Sequence, residues 1–126
     1  MSHWTEVKTG LRDLAALEEA ARELNCGTAR NGRARGYANS VRQADLVIVP
    51  PESPYDVAAA VQEDGSISLA TDWLGGYVEK ALGKDYGLLK QRYALKILKQ
   101  KAAFLMAETE ETVEADGSIR LIVRGA

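Results

Sequence analysis

The chain has 126 residues, 46% apolar and 27% charged, and its 16 basic and 18 acidic side chains give a formal net charge of −2. That balance excludes a disordered chain, and the length fits one domain, residues 1–126, able to bury about two-thirds of its unfolded surface without covalent staples. No stretch approaches the roughly 18 apolar residues of a membrane-spanning helix. The start, Met1-Ser2-His3-Trp4-Thr5-Glu6, lacks the basic-then-apolar pattern of a secretory leader.

In chain order, residues 4–9 alternate as a strand, which Gly10 ends. Asp13 is placed to cap a helix running to Asn25, because its carboxylate can accept the free amide hydrogens of the first turn. Leu14, Leu17, Ala21 and Leu24 give that helix one apolar stripe. Asn31-Gly32 reads as a hairpin turn, since both residues tolerate positive φ. Beyond it, Arg33, Arg35, Tyr37, Asn39 and Val41 share one face of a strand. The small Ala34, Gly36, Ala38 and Ser40 share the other, which is the face expected to pack inward.

Leu46-Val47-Ile48-Val49 is a continuous apolar run, the pattern of a strand buried on both faces, and Pro50-Pro51 stops it. Residues 57–62 and 66–71 form two further strands joined by Glu63-Asp64-Gly65, so that residues 45–71 read as an antiparallel meander. The string from Val61 to Leu69 is echoed from Val113 to Leu121, each copy with Asp-Gly-Ser-Ile at its centre. We read this as convergence on good hairpin chemistry, placing a second hairpin at the C-terminus with residues 119–123 as its last strand. Between the hairpins, residues 74–82 form a short helical stretch broken by Gly75-Gly76 and Gly83. A long helix follows from Asp85 to about Ala107, with Leu89, Tyr93, Ile97 and Phe104 on one face. The fold class is therefore α+β: an antiparallel sheet of about six strands with two main helices packed on one face.

Cysteine and histidine each occur once. Cys26 has no partner for an internal disulfide, which points to a reducing, cytoplasmic setting. With His3 it makes two of the roughly four ligands a structural zinc site needs, and no acidic spacing matches a metal loop. Residues 76–84 fail the Walker pattern, with six residues where four must separate the glycines, and no dinucleotide fingerprint or nucleophile elbow occurs. We therefore expect no cofactor, no metal and no enzymatic activity, and Cys26 is read as a small semi-buried residue after a helix; a small enzyme with a carboxylate site among the 18 acids, or with Cys26 as nucleophile, is a further alternative.

Charge is segregated along the chain. Residues 24–44 hold Arg30, Arg33, Arg35 and Arg42 and no acid, whereas residues 108–116 hold five acids and no base. Arg33, Arg35 and Tyr37 on one strand are the candidate partner-binding face, because Arg and Tyr are favoured at interface hot spots. The same groups can grip phosphates and stack on bases, so a nucleic-acid-binding module is the alternative, disfavoured by the modest charge. The plain reading is that these arginines cover apolar surface and pair with the acidic segment. Trp73, beside Gly75-Gly76, is a further candidate anchor, although most such tryptophans seal a core edge.

Several strings taken in order resemble one family: Ser2-His3-Trp4, Arg35-Gly36-Tyr37, Ala44-Asp45-Leu46-Val47-Ile48, Tyr55-Asp56-Val57, Asp72-Trp73, Gln91-Arg92-Tyr93-Ala94 and Asp116-Gly117-Ser118-Ile119-Arg120-Leu121. The family is the hypothetical chloroplast reading frame thirty-five family, also called domain of unknown function twelve fifty-seven. The resemblance covers nearly the whole chain and implies a small intracellular protein with no assigned reaction. It also implies an accessory role beside an ATPase of the AAA+ class. The function expected is thus a non-enzymatic binding or adaptor protein, its partner a protein such as that ATPase, with no membrane contact.

Overall fold

The computed structural model describes residues 3–105 and 108–124. Five strands form one antiparallel sheet: β1 (Thr5–Lys8), β2 (Gly27–Arg35), β3 (Val41–Val49), β4 (Val57–Val61) and β5 (Ile67–Thr71), in the order β1-β5-β4-β3-β2. Three helices, α1 (Leu14–Glu23), α2 (Tyr77–Leu82) and α3 (Gly87–Phe104), pack on one face of it, and β6 (Glu108–Val113) with β7 (Ile119–Arg124) forms a separate two-stranded sheet. The α+β class is as expected; the strands divide five and two rather than joining into a single sheet of six.

The main core lies between helices and sheet. Leu46, Ile48, Val57, Ile67 and Leu69 point from the sheet into it, and Leu17, Leu82 and Leu89 meet them from the helices. Burying one such side chain contributes about 1.5–3 kcal/mol. Ala16, Ala20 and Ala21 are buried on α1, and such small side chains allow the helix to lie close to the strands. Asp13 caps α1 as expected, its Oδ1 accepting from the Ala16 amide at 3.0 Å. The Tyr93 hydroxyl of α3 accepts from the amides of Arg12 and Asp13 at 3.1 and 3.0 Å, tying α3 to the start of α1.

The opposite face of the sheet is built from small residues, Ala34, Ala44, Val47, Ala58 and Ala70, all buried, with Trp4 and Val49 packed against them. Among the described residues no helical side chain joins this cluster, and the tip of the long β2–β3 hairpin meets Trp4 just before β1.

Three local expectations are corrected. Asn31-Gly32 is not a turn: β2 pairs with β3 on both sides of Asn31, from Gly27↔Val49 to Arg30↔Leu46 and again from Gly32↔Ala44 to Arg35↔Val41, and Asn31 itself is left out of the pairing. Asn31 does take a left-handed backbone, φ 52°, so its tolerance of positive φ bends the strand instead of reversing it. The reversal falls instead at Gly36–Ser40. Tyr37 therefore leaves the strand, and only Arg33 and Arg35 keep the alternation, with buried Ala34 between them. The long helix begins at Gly87, not Asp85, because Asp85 and Tyr86 hold left-handed φ values of 52° and 63°. That bend turns the Tyr86 ring inward, 4.8 Å from Trp73 centroid to centroid. The predicted end of the helix at Ala107 lies outside the described residues; the helix closes at Phe104.

Candidate docking site

The turn between β2 and β3 is held from two sides. On one side lies Arg35. Its Nε and Nη2 donate to the two oxygens of Asp56 at 3.0 and 2.8 Å, and its own amide donates to Asp56 Oδ2 at 2.9 Å. Nη2 also donates to the Ser53 carbonyl at 3.1 Å. The Asp56 amide returns a bond to the Arg35 carbonyl at 2.9 Å. The Asp56 carboxylate is almost fully buried, while half of the Arg35 side chain faces solvent. Such a fork matches guanidinium to carboxylate geometry and fixes both partners.

On the other side lies Trp4. Its indole Nε1 donates to Ser40 Oγ at 3.0 Å, and its ring lies against the Cα of Gly36. Arg42 stands 5.9 Å above the ring centroid and bonds Glu6 at 2.7 Å. Between these two fastenings, Arg35, Gly36, Tyr37, Ala38, Asn39, Ser40, Val41, Pro54 and Tyr55 line an open groove of about 600 Å³. Ala38 and Asn39 hold it in shape with left-handed φ values of 54° and 65°, uncommon for residues with side chains, above all for an alanine.

The candidate residues separate into three groups. Arg35 and Tyr37 both line the groove, with Tyr37 49% exposed. Arg33 lies on the Arg35 side of β2, is exposed, and forms no ion pair among the described residues. Trp73 is elsewhere, partly buried against the main core beside Tyr86. The expected pairing of the arginines with the acidic segment is absent among the described residues. Arg30 bonds Glu18 at 3.1 Å, and the acids at 110, 111 and 114 bond Arg124, Lys99 and Arg120.

Sequence reasoning missed Asp56, Tyr55 and Tyr77. Tyr55 and Tyr77 meet edge to face at 6.2 Å, extending the aromatic row beyond Tyr37. Burial first, then the Asp72 charge and the Tyr37 and Tyr77 phenols, hold the Tyr55 phenol above its ordinary range, so it remains a protonated donor. Asp56 had a readable signal: it stands between Tyr55 and the apolar start of β4, where a lone carboxylate needs a partner.

Among the described residues no group of three His, Cys, Asp or Glu side chains is placed to hold a metal ion, and no helix is long and apolar enough to cross a membrane. Cys26 is buried in the main core, where burial pushes its thiol up to about 11. The comparisons with curated proteins and with solved structures returned no match. A family model matches residues 17–122, which include both β2 and the groove, and the chain belongs to the family described as protein of unknown function (DUF1257).

Proposed function

We propose that this protein is a non-enzymatic docking module that binds another protein through the β2–β3 turn, with Arg33 and Tyr37 as contact residues and Arg35 as the strut behind them. The single observation that carries the reading is the double fastening of that turn, by Arg35 on Asp56 and by Trp4 on Gly36 and Ser40. A preorganised turn and the paired strand leading into it lose little conformational entropy on binding, so the Arg33 cation on β2 and the Tyr37 ring on the turn are presented at low cost. Arg33 favours an acidic partner surface. The family resemblance suggests an ATPase of the AAA+ class as that partner, and a buried thiol suits the cytoplasm.

The test compares proteins retained from native extract by the wild type and by Arg33→Glu/Tyr37→Ala. A partner identified by mass spectrometry with the wild type and lost with the variant, at an unchanged melting temperature, supports the reading. Identical retained sets overturn it. A second reading, single-stranded nucleic acid, is favoured by the presence of an exposed arginine on β2, Arg33, and a half-exposed ring on the turn after it, Tyr37. Oligonucleotide binding that falls steeply with salt would establish that alternative.

A further inference from the structure

The β6–β7 hairpin repeats the turn of the β4–β5 hairpin, but its surroundings differ. β4 and β5 are flanked by β3 and β1, whereas β6 and β7 have both outer edges unpaired among the described residues. Two strands alone are marginal in water and need a further strand or a well-covered face. The register Glu111↔Leu121 and Val113↔Ile119 puts Glu111, Val113, Ile119, Leu121 and Val123 on one face, and Glu111 meets Lys99 there, so this face turns toward α3. It is poorly covered: Val113 is 65% and Val123 50% exposed, and at the end of α3 Phe104 is 86% exposed. Large apolar side chains left exposed on one hairpin face and the adjoining helix end are what an interaction site presents.

The turn fixes which backbone groups are free. The Glu114 amide donates to the Ser118 carbonyl. By the alternation of an antiparallel ladder, Arg120, Ile122 and Arg124 then turn their polar groups toward β6, while Ile119, Leu121 and Val123 turn theirs to the open edge. The two edges differ in charge. β6 with its turn presents Glu110, Glu111 and Glu114 and no base, so two such edges would set acid against acid. β7 has no acid, and its two arginines are each paired within their own hairpin, Arg120 with Glu114 and Arg124 with Glu110, both at 3.1 Å.

We propose that the β7 edge pairs antiparallel with β7 of a second copy of this chain, across a two-fold axis at Leu121, to give a four-stranded sheet. In that register Leu121 faces its own copy and Ile119 faces Val123, so the apolar residues meet on the face turned toward α3. Arg120 then faces Ile122, and no arginine faces another. Moving the axis one residue, to Ile122, would set Arg120 against Arg124, a like-charge pair that costs stability. Of the two registers that pair β7 most fully, centred on Leu121 and on Ile122, the edge is thus self-complementary in the first, the requirement of a closed two-fold interface, and this is what selects a second copy as the occupant. The proposal is independent of the docking turn.

Light scattering of the purified protein at submillimolar concentration should give twice the mass of the chain, and Leu121→Lys should give a monomer. Because that variant could melt the hairpin, a cysteine pair tests the register separately. Cys26→Ser/Leu121→Cys should oxidise to a covalent dimer, since a hydrogen-bonded antiparallel pair places the two Cα atoms about 5.5 Å apart, within disulfide reach. Cys26→Ser/Glu111→Cys, on the other strand, should remain uncrosslinked. A monomeric wild type, a Leu121→Lys dimer as stable as the wild type, or equal cross-linking of the two cysteine variants would each overturn the proposal.

Discussion

Arg35 and Asp56 stand 21 residues apart in the chain, yet they exchange backbone and side-chain bonds that pin the end of β2 to the start of β4. The guanidinium is half in solvent while the carboxylate is not. This asymmetry decides what mutation does. Removing the exposed partner leaves a buried charge behind, and that is the costly half of any buried ion pair.

Arg35→Ala should therefore destabilise by about 2–4 kcal/mol, with Arg35→Glu worse because it adds repulsion. Arg33→Glu should change stability by no more than about 0.5 kcal/mol, since Arg33 is exposed and unpaired. Denaturant melts of the two single variants check this. Equal stability losses at both positions would show that the Asp56 fork is not the strut described here. A double reversal of both arginines mixes a structural and a surface effect, so binding experiments belong on Arg33 and Tyr37.

The glycines of the two hairpin turns should differ in sensitivity. Gly65 and Gly117 hold φ values of 86° and 87°, and the same bonds close each turn. A Cβ on Gly65 would lie 2.8 Å from the Arg12 guanidinium, whereas one on Gly117 meets nothing within 4 Å. Gly65→Val should cost about 1–3 kcal/mol of global stability through backbone strain. Gly117→Val strains a hairpin outside the main core, so its global melt should shift less. Thermal melts unchanged in both variants would contradict the turn assignment.

Much of this was legible in the sequence because it is local. The Asp13 cap, the meander of β3 to β5 and the Asp-Gly turns each follow from a few neighbouring residues. The misread segment, 28–43, fails for a physical reason. Asn31 accepts positive φ equally well in a turn and in a bent strand, and only the pairing of its neighbours Arg30 and Gly32 with β3, a non-local fact, separates the two. Gly36 has an ordinary extended φ; it is a glycine because the ring of Trp4, 32 positions earlier, lies where its side chain would be, and the reversal itself is made by Ala38 and Asn39 at left-handed φ, which no local pattern announces. The Arg35 strut depends likewise on Asp56, which no pattern within β2 announces.

The aspartates of the same turns give a pH dependence. The Ser66 hydroxyl, at 2.6 Å, and then the Ser66 amide, at 2.9 Å, hold the Asp64 carboxyl below its ordinary range, and Ser118 does the same for Asp116. A carboxyl lowered in the folded state binds its proton more weakly there than in the unfolded chain. Its stabilising contribution is present above the ordinary aspartate value of about 3.9 and is lost as pH falls through the lowered one. Carboxyl titration by NMR should show both aspartates ionised below that value, and Ser66→Ala should raise Asp64 alone. An unmoved Asp64 in Ser66→Ala would overturn the assignment.

Cys26 should be chemically inert in the folded protein. Burial alone raises its thiol to about 11, leaving almost no thiolate at neutral pH. A thiol reagent at pH 8 should modify the native chain far more slowly than the denatured one, and Cys26→Ser should leave the docking turn unaffected. Rapid native labelling would show that the α1–β2 junction opens.

The final prediction isolates the Trp4 fastening. Gly36 has φ −123°, an extended backbone that any residue adopts, so a substitution there brings no conformational strain. Its Cβ, however, would fall 2.7 Å from Trp4 Cζ2 and 2.9 Å from Cε2, inside van der Waals contact with a ring that cannot bend. Gly36→Val should therefore push the indole out, break its bond to Ser40 and cost about 1–3 kcal/mol, the usual penalty of overpacking. Trp4 and Trp73 are the two tryptophans of the chain. In a Trp73→Phe background the emission should shift to the red on adding Gly36→Val, and in a Trp4→Phe background it should not move. An unshifted spectrum with full stability would mean that the hairpin tip holds its shape without Trp4, and that Arg35 and Asp56 alone fix the turn.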